Sequence, residues 1–168
     1  TLIESCCEGL GDVVNGPVIL KATLKDLYDG VPMDEVRRSL VLSARALIEK
    51  EPAYSYVTAR LLLHNLRLEV LGEEALQHPP PDRYAEYFPQ FIKRGIEAEL
   101  LDERLAQFDL PRLAKALDSS RDLKFGYLGL QNLYDRYFLH VREHRIELPQ
   151  TFFMRVAMGL ALNEIDRE

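Results

Sequence analysis

The sequence predicts a mainly α-helical, bundle-like domain with one small β-hairpin near its C-terminal end. Three observations carry that prediction. Apolar residues recur every three or four positions over most of the 168 residues. The period changes to alternation only between Tyr137 and Leu148. Glycines and prolines stand between the periodic runs, where a chain changes direction. Hydrophobic residues make up 47% and charged residues 29%, a balance that allows a sizeable core.

Leu2, Ile3, Cys6 and Leu10 open the chain at near-helical spacing, and Gly9, Gly11, Asn15, Gly16 and Pro17 interrupt it. A helix follows over 18–28, with Gly30 taking the left-handed position just beyond its end. Asp34 is expected to cap the next helix, whose apolar stripe is Val36, Leu40, Ala44, Leu47 and Ile48. Pro52 suits the first turn of a further helix, with Tyr56, Ala59, Leu63, Leu66 and Val70 as its stripe and Gly72 as its stop. The short connection predicts that these two helices form an antiparallel hairpin.

Gln77-His78-Pro79-Pro80-Pro81 cannot be crossed by a helix and divides the chain into 1–76, a linker over 77–81, and 82–168. Asp82 begins the second part, with Tyr84, Tyr87, Phe88, Phe91 and Ile92 on one face. Pro89 is expected to kink that helix or to mark a false start, and Arg94-Gly95 to end it. Leu100, Leu101 and Leu105 form a short helix. Asp109 caps another, with Leu113, Ala116 and Leu117 inward. A helix starts at about Gly126 and carries Tyr127, Leu130, Leu133, Tyr134 and Tyr137. The hairpin spans 137–148 with a polar turn at Arg142-Glu143-His144-Arg145. Pro149 opens a last helix that is apolar nearly all round and is therefore expected to be buried.

The net charge of −6 argues against a nucleic-acid or anionic-membrane surface. No apolar run is long enough to span a bilayer, and no secretory signal opens the chain. The two adjacent cysteines, Cys6 and Cys7, read as reduced thiols of a cytoplasmic protein. Thr1 in place of a methionine, and the abrupt end at Glu168, suggest a piece of a longer chain.

No phosphate-binding glycine loop is present. Gly126 and Gly129 read as close helix packing. His140 and His144 have a spacing that zinc ligands use on helices, but here they fall in the hairpin. His64 lies one position off its helix stripe and His78 lies in the proline linker. Asp102-Glu103 and Glu97-Glu99 read as a solvated charged face. Ser119-Ser120 beside Arg121-Asp122 reads as a turn or cap, and the tyrosines as packing. No catalytic or metal-binding residue is assigned.

The order of several segments nevertheless resembles one family. Leu27-Tyr28-Asp29-Gly30-Val31 and the helix through Ala44-Arg45-Ala46-Leu47-Ile48 resemble the second half of an ATP-cone. Tyr56 to Leu63 is similar to the helix that follows it. Ser120 to Tyr127, Leu130 to Tyr137, and Leu148 to Met158 resemble the helical region before the catalytic barrel. From Asp26 to Arg167 the chain resembles the N-terminal region of the large (α) subunit of class I ribonucleoside-diphosphate reductase.

That resemblance implies a structural and regulatory part of an oxidoreductase that makes deoxyribonucleoside diphosphates for DNA synthesis. It implies ATP and deoxynucleotide effectors of the parent enzyme and a radical from a metal-containing small subunit. Partners would be the catalytic barrel, a second large subunit and that small subunit. The redox cysteines of the family lie outside this stretch, so no activity is expected from it alone.

The sequence departs from the cone pattern. The Lys-Arg-Asp-Gly strand that opens a working cone has no match. Met33 stands where the family has a threonine, Arg37 and Asn65 replace histidines, and Leu68 replaces a lysine. Losing a hydroxyl and a positive charge disfavours a triphosphate, so 1–76 reads as a partial, degenerate cone without its nucleotide. A stand-alone helical interaction module, and an enzyme built on His140 and His144, are the other readings.

Overall fold

Short polar contacts at helix starts decide where this chain turns. The computed structural model describes residues 1–76 and 83–164. It is helical, with one two-stranded antiparallel hairpin, as the sequence predicts. Among the described residues no helix is long and apolar enough to cross a membrane. The chain divides into two compact units. One comprises Thr1–Asn65 and Leu123–Asn132, the other Leu66–Asp122 and Leu133–Glu168. The linker over 77–81, His78 and Asp82 lie outside the described residues, as do the last four positions.

The first unit opens with α1 (Leu2–Cys7), held by a capping box in which Glu4 N donates to Thr1 Oγ1 at 3.3 Å. Arg60 Nη1 donates to the carbonyls of Cys6 and Glu8 at 3.0 and 2.7 Å, a cation at a helix C-terminus. Helix α2 (Gly16–Lys25) starts at Asn15, whose side chain accepts from Val18 N. It begins earlier and ends earlier than the periodicity over 18–28 predicts. Gly16 allows α1 close, since a Cβ there would lie 3.0 Å from Ile3 Cγ2. Gly30 has φ +80, the left-handed value expected of it.

Helix α3 (Met33–Arg45) carries Asp34 in its first turn, not at its cap; the cap position is Pro32. Asp34 still complements the helix dipole there. The chief partner of α3 is α2, not the following helix. Ile19, Thr23, Ser43 and Ala44 are all buried. Thr23 Oγ1 donates to the Ile19 carbonyl at 2.9 Å and shares a hydrogen bond at 3.0 Å with the Ser43 hydroxyl. The expected α3–α4 hairpin is thus replaced by an α2–α3 pair, because buried hydroxyls as well as the apolar stripe select the partner.

Helix α4 (Tyr54–Leu71) follows Pro52 and stops at Gly72, which has φ +72. Val57, Thr58, Ala59, Leu61, Leu62, Leu63 and Leu66 are buried, so the helix is covered on most sides. Tyr56, expected on its apolar stripe, is exposed. Helix α7 (Tyr127–Arg136) begins where Ser55 Oγ accepts from Tyr127 N at 2.9 Å.

The second unit is organised around α5 (Tyr84–Glu97), which contacts the short turn Glu103–Gln107, α6 (Leu110–Lys115) and α8 (Pro149–Leu160). Its core holds Phe88, Phe91, Ile92, Leu105, Phe108, Ala114, Ile146 and Met158. Helix α5 begins at Tyr84 and runs through Pro89, so the proline marks no false start; its missing N–H leaves only the carbonyl of the exposed Ala85 to find water. Nor does it stop at Gly95, which serves packing instead: a Cβ there would meet Leu101 Cδ1 at 2.5 Å. Glu99, at φ 58, supplies the left-handed turn that ends it.

Asp109 does cap α6, accepting from Arg112 N at 3.1 Å, but Ala114 is the buried alanine and Ala116 is exposed. The hairpin strands are β1 (His140–Val141) and β2 (His144–Arg145), with His140 opposite Arg145 and Val141 opposite His144. His144 and Arg145 are therefore strand, not turn. Arg142, at φ 58, makes the two-residue turn. Helix α8 corrects another expectation. Its first turn is buried, while Phe153 is 50% and Leu160 81% exposed.

Candidate functional site

The second unit concentrates its buried polar groups near the start of α8. Asp122, within the turn Ser119–Lys124, is buried. Tyr84 Oη donates to Asp122 Oδ2 at 2.8 Å and Arg67 Nη2 donates to the same oxygen at 3.2 Å. Gln150 Nε2 donates to Oδ1 at 2.9 Å. The Tyr84 hydroxyl also accepts from Gln150 N at 3.1 Å, so the first turn of α8 is held twice. Burial pushes the Asp122 carboxyl up from the ordinary aspartate range, against the pull of Gln150, Tyr84 and Arg67. Burial, with the neighbouring Asp122 charge, raises the Tyr84 phenol as well, which keeps it a donor.

A second buried carboxylate lies one element away. Glu147 is 0% exposed and takes Arg155 Nε at 2.6 Å, Arg155 Nη2 at 3.1 Å and Leu139 N at 3.0 Å. Burial raises its carboxyl too, opposed by Arg155. A third cluster pins the hairpin. Arg145 N donates to Glu69 Oε1 at 2.7 Å, its Nη1 lies 3.2 Å from Oε2, and its Nε donates to the Tyr134 carbonyl at 2.8 Å. The guanidinium carbon sits 3.4 Å from the centre of the Tyr134 ring. The Leu148–Thr151 turn closes the set, with Thr151 Oγ1 accepting from Leu148 N.

These groups lock backbone in place. Each carboxylate accepts from three donor residues or groups on separate elements. Asp122 had read as part of a turn, and its burial was missed. Glu147 did leave a signal: it is a charge inside the apolar run Ile146 to Pro149.

The other candidates scatter. His140 and His144 belong to different cross-strand pairs and so point to opposite faces of the hairpin. Among the described residues no group of histidine, cysteine, aspartate or glutamate is placed to hold a metal. Asp102 is exposed and grips Arg104, which holds its carboxyl down at about 2. Glu97 pairs with Lys93 at 3.9 Å on the surface. Ser119 and Ser120 start a turn in which Ser120 N donates to Asp118. Tyr127 is buried and Tyr137 exposed. Gly126 is a close approach, 3.2 Å from a Cβ to Ser55 Oγ, whereas Gly129 faces open space. Cys6 is buried, and burial raises the Cys7 thiol, which disfavours a reactive thiolate. His64 is half-buried.

The four cone positions are also placed. Met33 is exposed at the first position of α3, and Arg37 lies one turn on. Asn65 Nδ2 makes a long, 3.5 Å contact to the Arg37 carbonyl. Leu68 belongs to the second unit and is half-buried.

Residues 123–168 match the family described as ribonucleotide reductase, all-alpha domain. The chain is 42% identical over 165 residues to ribonucleoside-diphosphate reductase subunit alpha of Chlamydia trachomatis serovar D, covering 98% of this chain and 16% of that protein. It is 36% identical over 138 residues to the Helicobacter pylori J99 subunit of the same name, covering 81% of this chain and 16% of that protein. With ribonucleoside-diphosphate reductase 1 subunit alpha of Escherichia coli K12 it shares 26% over 165 residues, 96% of this chain and 21% of that protein. The chain belongs to the ribonucleotide reductase large-subunit family and corresponds to its N-terminal part. It spans about a sixth of the length of the Chlamydia relative.

Two outcomes are expected. Asp122→Ala leaves Arg67, Tyr84 and Gln150 without their shared acceptor and should cost about 3–5 kcal/mol, read as a lower urea midpoint. A loss below about 0.5 kcal/mol would show that Asp122 is not structural. The second concerns pH. A carboxyl raised by folding binds its proton more tightly in the folded state. Its ionisation therefore removes stability as pH rises from about 4 through the folded value. The stability advantage of the native protein over Glu147→Gln should shrink across that window; an advantage that grows with pH would contradict the assignment.

Proposed function

We propose that this chain is a non-catalytic, structural and regulatory portion of a ribonucleotide reductase large subunit. The parent enzyme would reduce ribonucleoside diphosphates to deoxyribonucleoside diphosphates in the cytoplasm. The observation that carries this reading is the 42% identity to a reductase α subunit along nearly the whole chain. The names of its relatives, ribonucleoside-diphosphate reductases, supply the substrate class. The absence of any reactive pair among the described residues is consistent with chemistry residing elsewhere in the parent.

Residues 1–76 would be the remnant of an ATP-cone and 82–168 the helical region beside the catalytic barrel. A triphosphate needs charged donors at its phosphates and a polar group at its base or ribose. Met33 and Leu68 offer neither, and the Asn65 amide is turned to the Arg37 carbonyl. The residues present do not fit a nucleotide. The parent would take its effectors at other sites and receive a radical from a metal-containing small subunit. The large subunit would pair with a second copy.

The open apolar side of α8, with Phe153, Val156 and Leu160, would pack against the barrel of the parent. Leu160→Asp should change the stability of this 168-residue chain by less than about 0.5 kcal/mol, because the side chain is exposed. In the full-length subunit the same change should lower both Tm and nucleotide reduction. Equal tolerance in both contexts would reject the packing role.

Calorimetry tests the lost cone. Neither ATP nor dATP should bind the chain at concentrations up to about 1 mM, which places any Kd beyond ordinary effector affinity. Saturable binding in the micromolar range would overturn the degenerate-cone reading while leaving the family assignment intact.

A further inference from the structure

We infer that Gln150 and Arg155 are positioning residues that fix the rotation of α8 about its own axis and so aim its uncovered stripe at the rest of the parent subunit. The rotation rests on geometry alone, the aim on the function proposed above. Side chains advance about 100° per residue around a helix. Thr151, Met154 and Met158 mark the covered side of α8, and Phe153, Val156 and Leu160, at i, i+3 and i+7, its uncovered stripe. Gln150 and Arg155 lie about 140° apart around the axis, one at each edge of the covered side. Each is tied there to a buried carboxylate. Gln150 Nε2 donates to Asp122 Oδ1 at 2.9 Å, and Arg155 Nε donates to Glu147 Oε1 at 2.6 Å. Neither carboxylate belongs to α8. Asp122 sits in the turn Ser119–Lys124, and Glu147, which follows β2, is itself anchored by the Leu139 amide.

Apolar contact cannot supply this direction. Hydrophobic burial is non-directional, and Met154 and Met158 have side chains that adapt to many neighbours. A helix held by such a surface alone can turn without losing much of it. Hydrogen bonds resist the turn because they weaken steeply with distance and angle. At a side-chain radius of roughly 5–6 Å, a turn of about 20° carries each donor about 2 Å. That is enough to break an ordinary hydrogen bond, and with ties on both edges a turn in either direction strains one of them. Burial keeps water from competing for the two acceptors and salt from screening them. The uncovered stripe moves with the same rotation. A misplacement of about 1 Å far from the chemistry can already cost an enzyme roughly a hundredfold in rate.

The chain has no tryptophan, so Phe153→Trp places a single fluorescent reporter on the uncovered stripe. In the whole 168-residue chain, Gln150→Glu sets two carboxylates against each other, and Arg155→Met removes the opposite tie while keeping most of the bulk. Each should shift the emission maximum and the acrylamide quenching of the reporter while the circular dichroism spectrum is retained. Asp122→Asn combined with Gln150→Glu returns one carboxylate and one amide to the same pair and should restore the native signal. In the full-length large subunit, assayed with its radical-supplying small subunit, Gln150→Glu should lower kcat for diphosphate reduction at least roughly tenfold with KM nearly unchanged, and the swap should recover most of it. A reporter unmoved by both single variants, or not restored by the swap, overturns the rotation. Variants that unfold the chain show that the ties supply stability and not direction, and overturn it equally. A moved reporter with full activity overturns the aim. A native subunit that reduces no diphosphate sinks the proposed function and the aim with it, while the reporter still decides the rotation.

Discussion

One buried carboxylate sets the terms for the second unit. Taking the charge of Asp122 out of water costs several kcal/mol, and only donors brought from elsewhere in the chain can offset that. Arg67 comes from the end of α4, Tyr84 from the start of α5, and Gln150 from the start of α8. Each is useful only if the other elements have arrived. The interaction is therefore a test of correct assembly more than a source of stability. Glu147 repeats the device with Arg155 and the Leu139 amide, so α8 and the strand before the hairpin turn are tied to one acceptor. Apolar packing around Phe88, Phe91 and Ile92 supplies the driving force; the carboxylates decide which packing is accepted.

The same economy engages the other buried or half-buried carboxylates. A general base needs a free lone pair near a proton it can take. Asp122 and Glu147 have theirs filled, and Glu69 is engaged by Arg145 and held against Tyr134. The interest of this domain lies in its surfaces instead. Several helices keep large apolar side chains in water, among them α2 with Leu20 and Leu24 and α8 with Phe153 and Leu160. They differ in chemistry, since lysines border the first. Surfaces of that kind suit an element whose work is contact with neighbours.

Much of the fold was legible in the residues. Asp109 announced its helix because a carboxylate before a proline-led turn has a backbone amide to accept from. Gly30 and Gly72 marked their turns because only glycine enters the left-handed region without strain. The hairpin showed as a change of period. Where local reading failed, a distant group intervened. Gly95 looks like a stop, but Leu101 needs the space above it. Pro89 looks like a break, but the one carbonyl it orphans belongs to an exposed residue. Ala116 and Ala114 have equal local claims to burial, and only the neighbouring helix chose between them. The buried role of Asp122 was not legible, since a turn and a buried acceptor look alike in one dimension.

Helix positions, the single hairpin and kinship with the reductase large subunit are encoded in short-range spacing and in ordered segments, so the string of residues is enough to reveal them. The partner of each helix is not. The apolar stripe of α3 would fit α4 as well as α2, and the buried Thr23–Ser43 contact joins α2 to α3. Burial of α8 cannot be read from its composition, because hydrophobicity states a preference and only the surrounding chain can meet it. Tertiary structure settled both questions, since each depends on groups far apart in sequence meeting at hydrogen-bond distance.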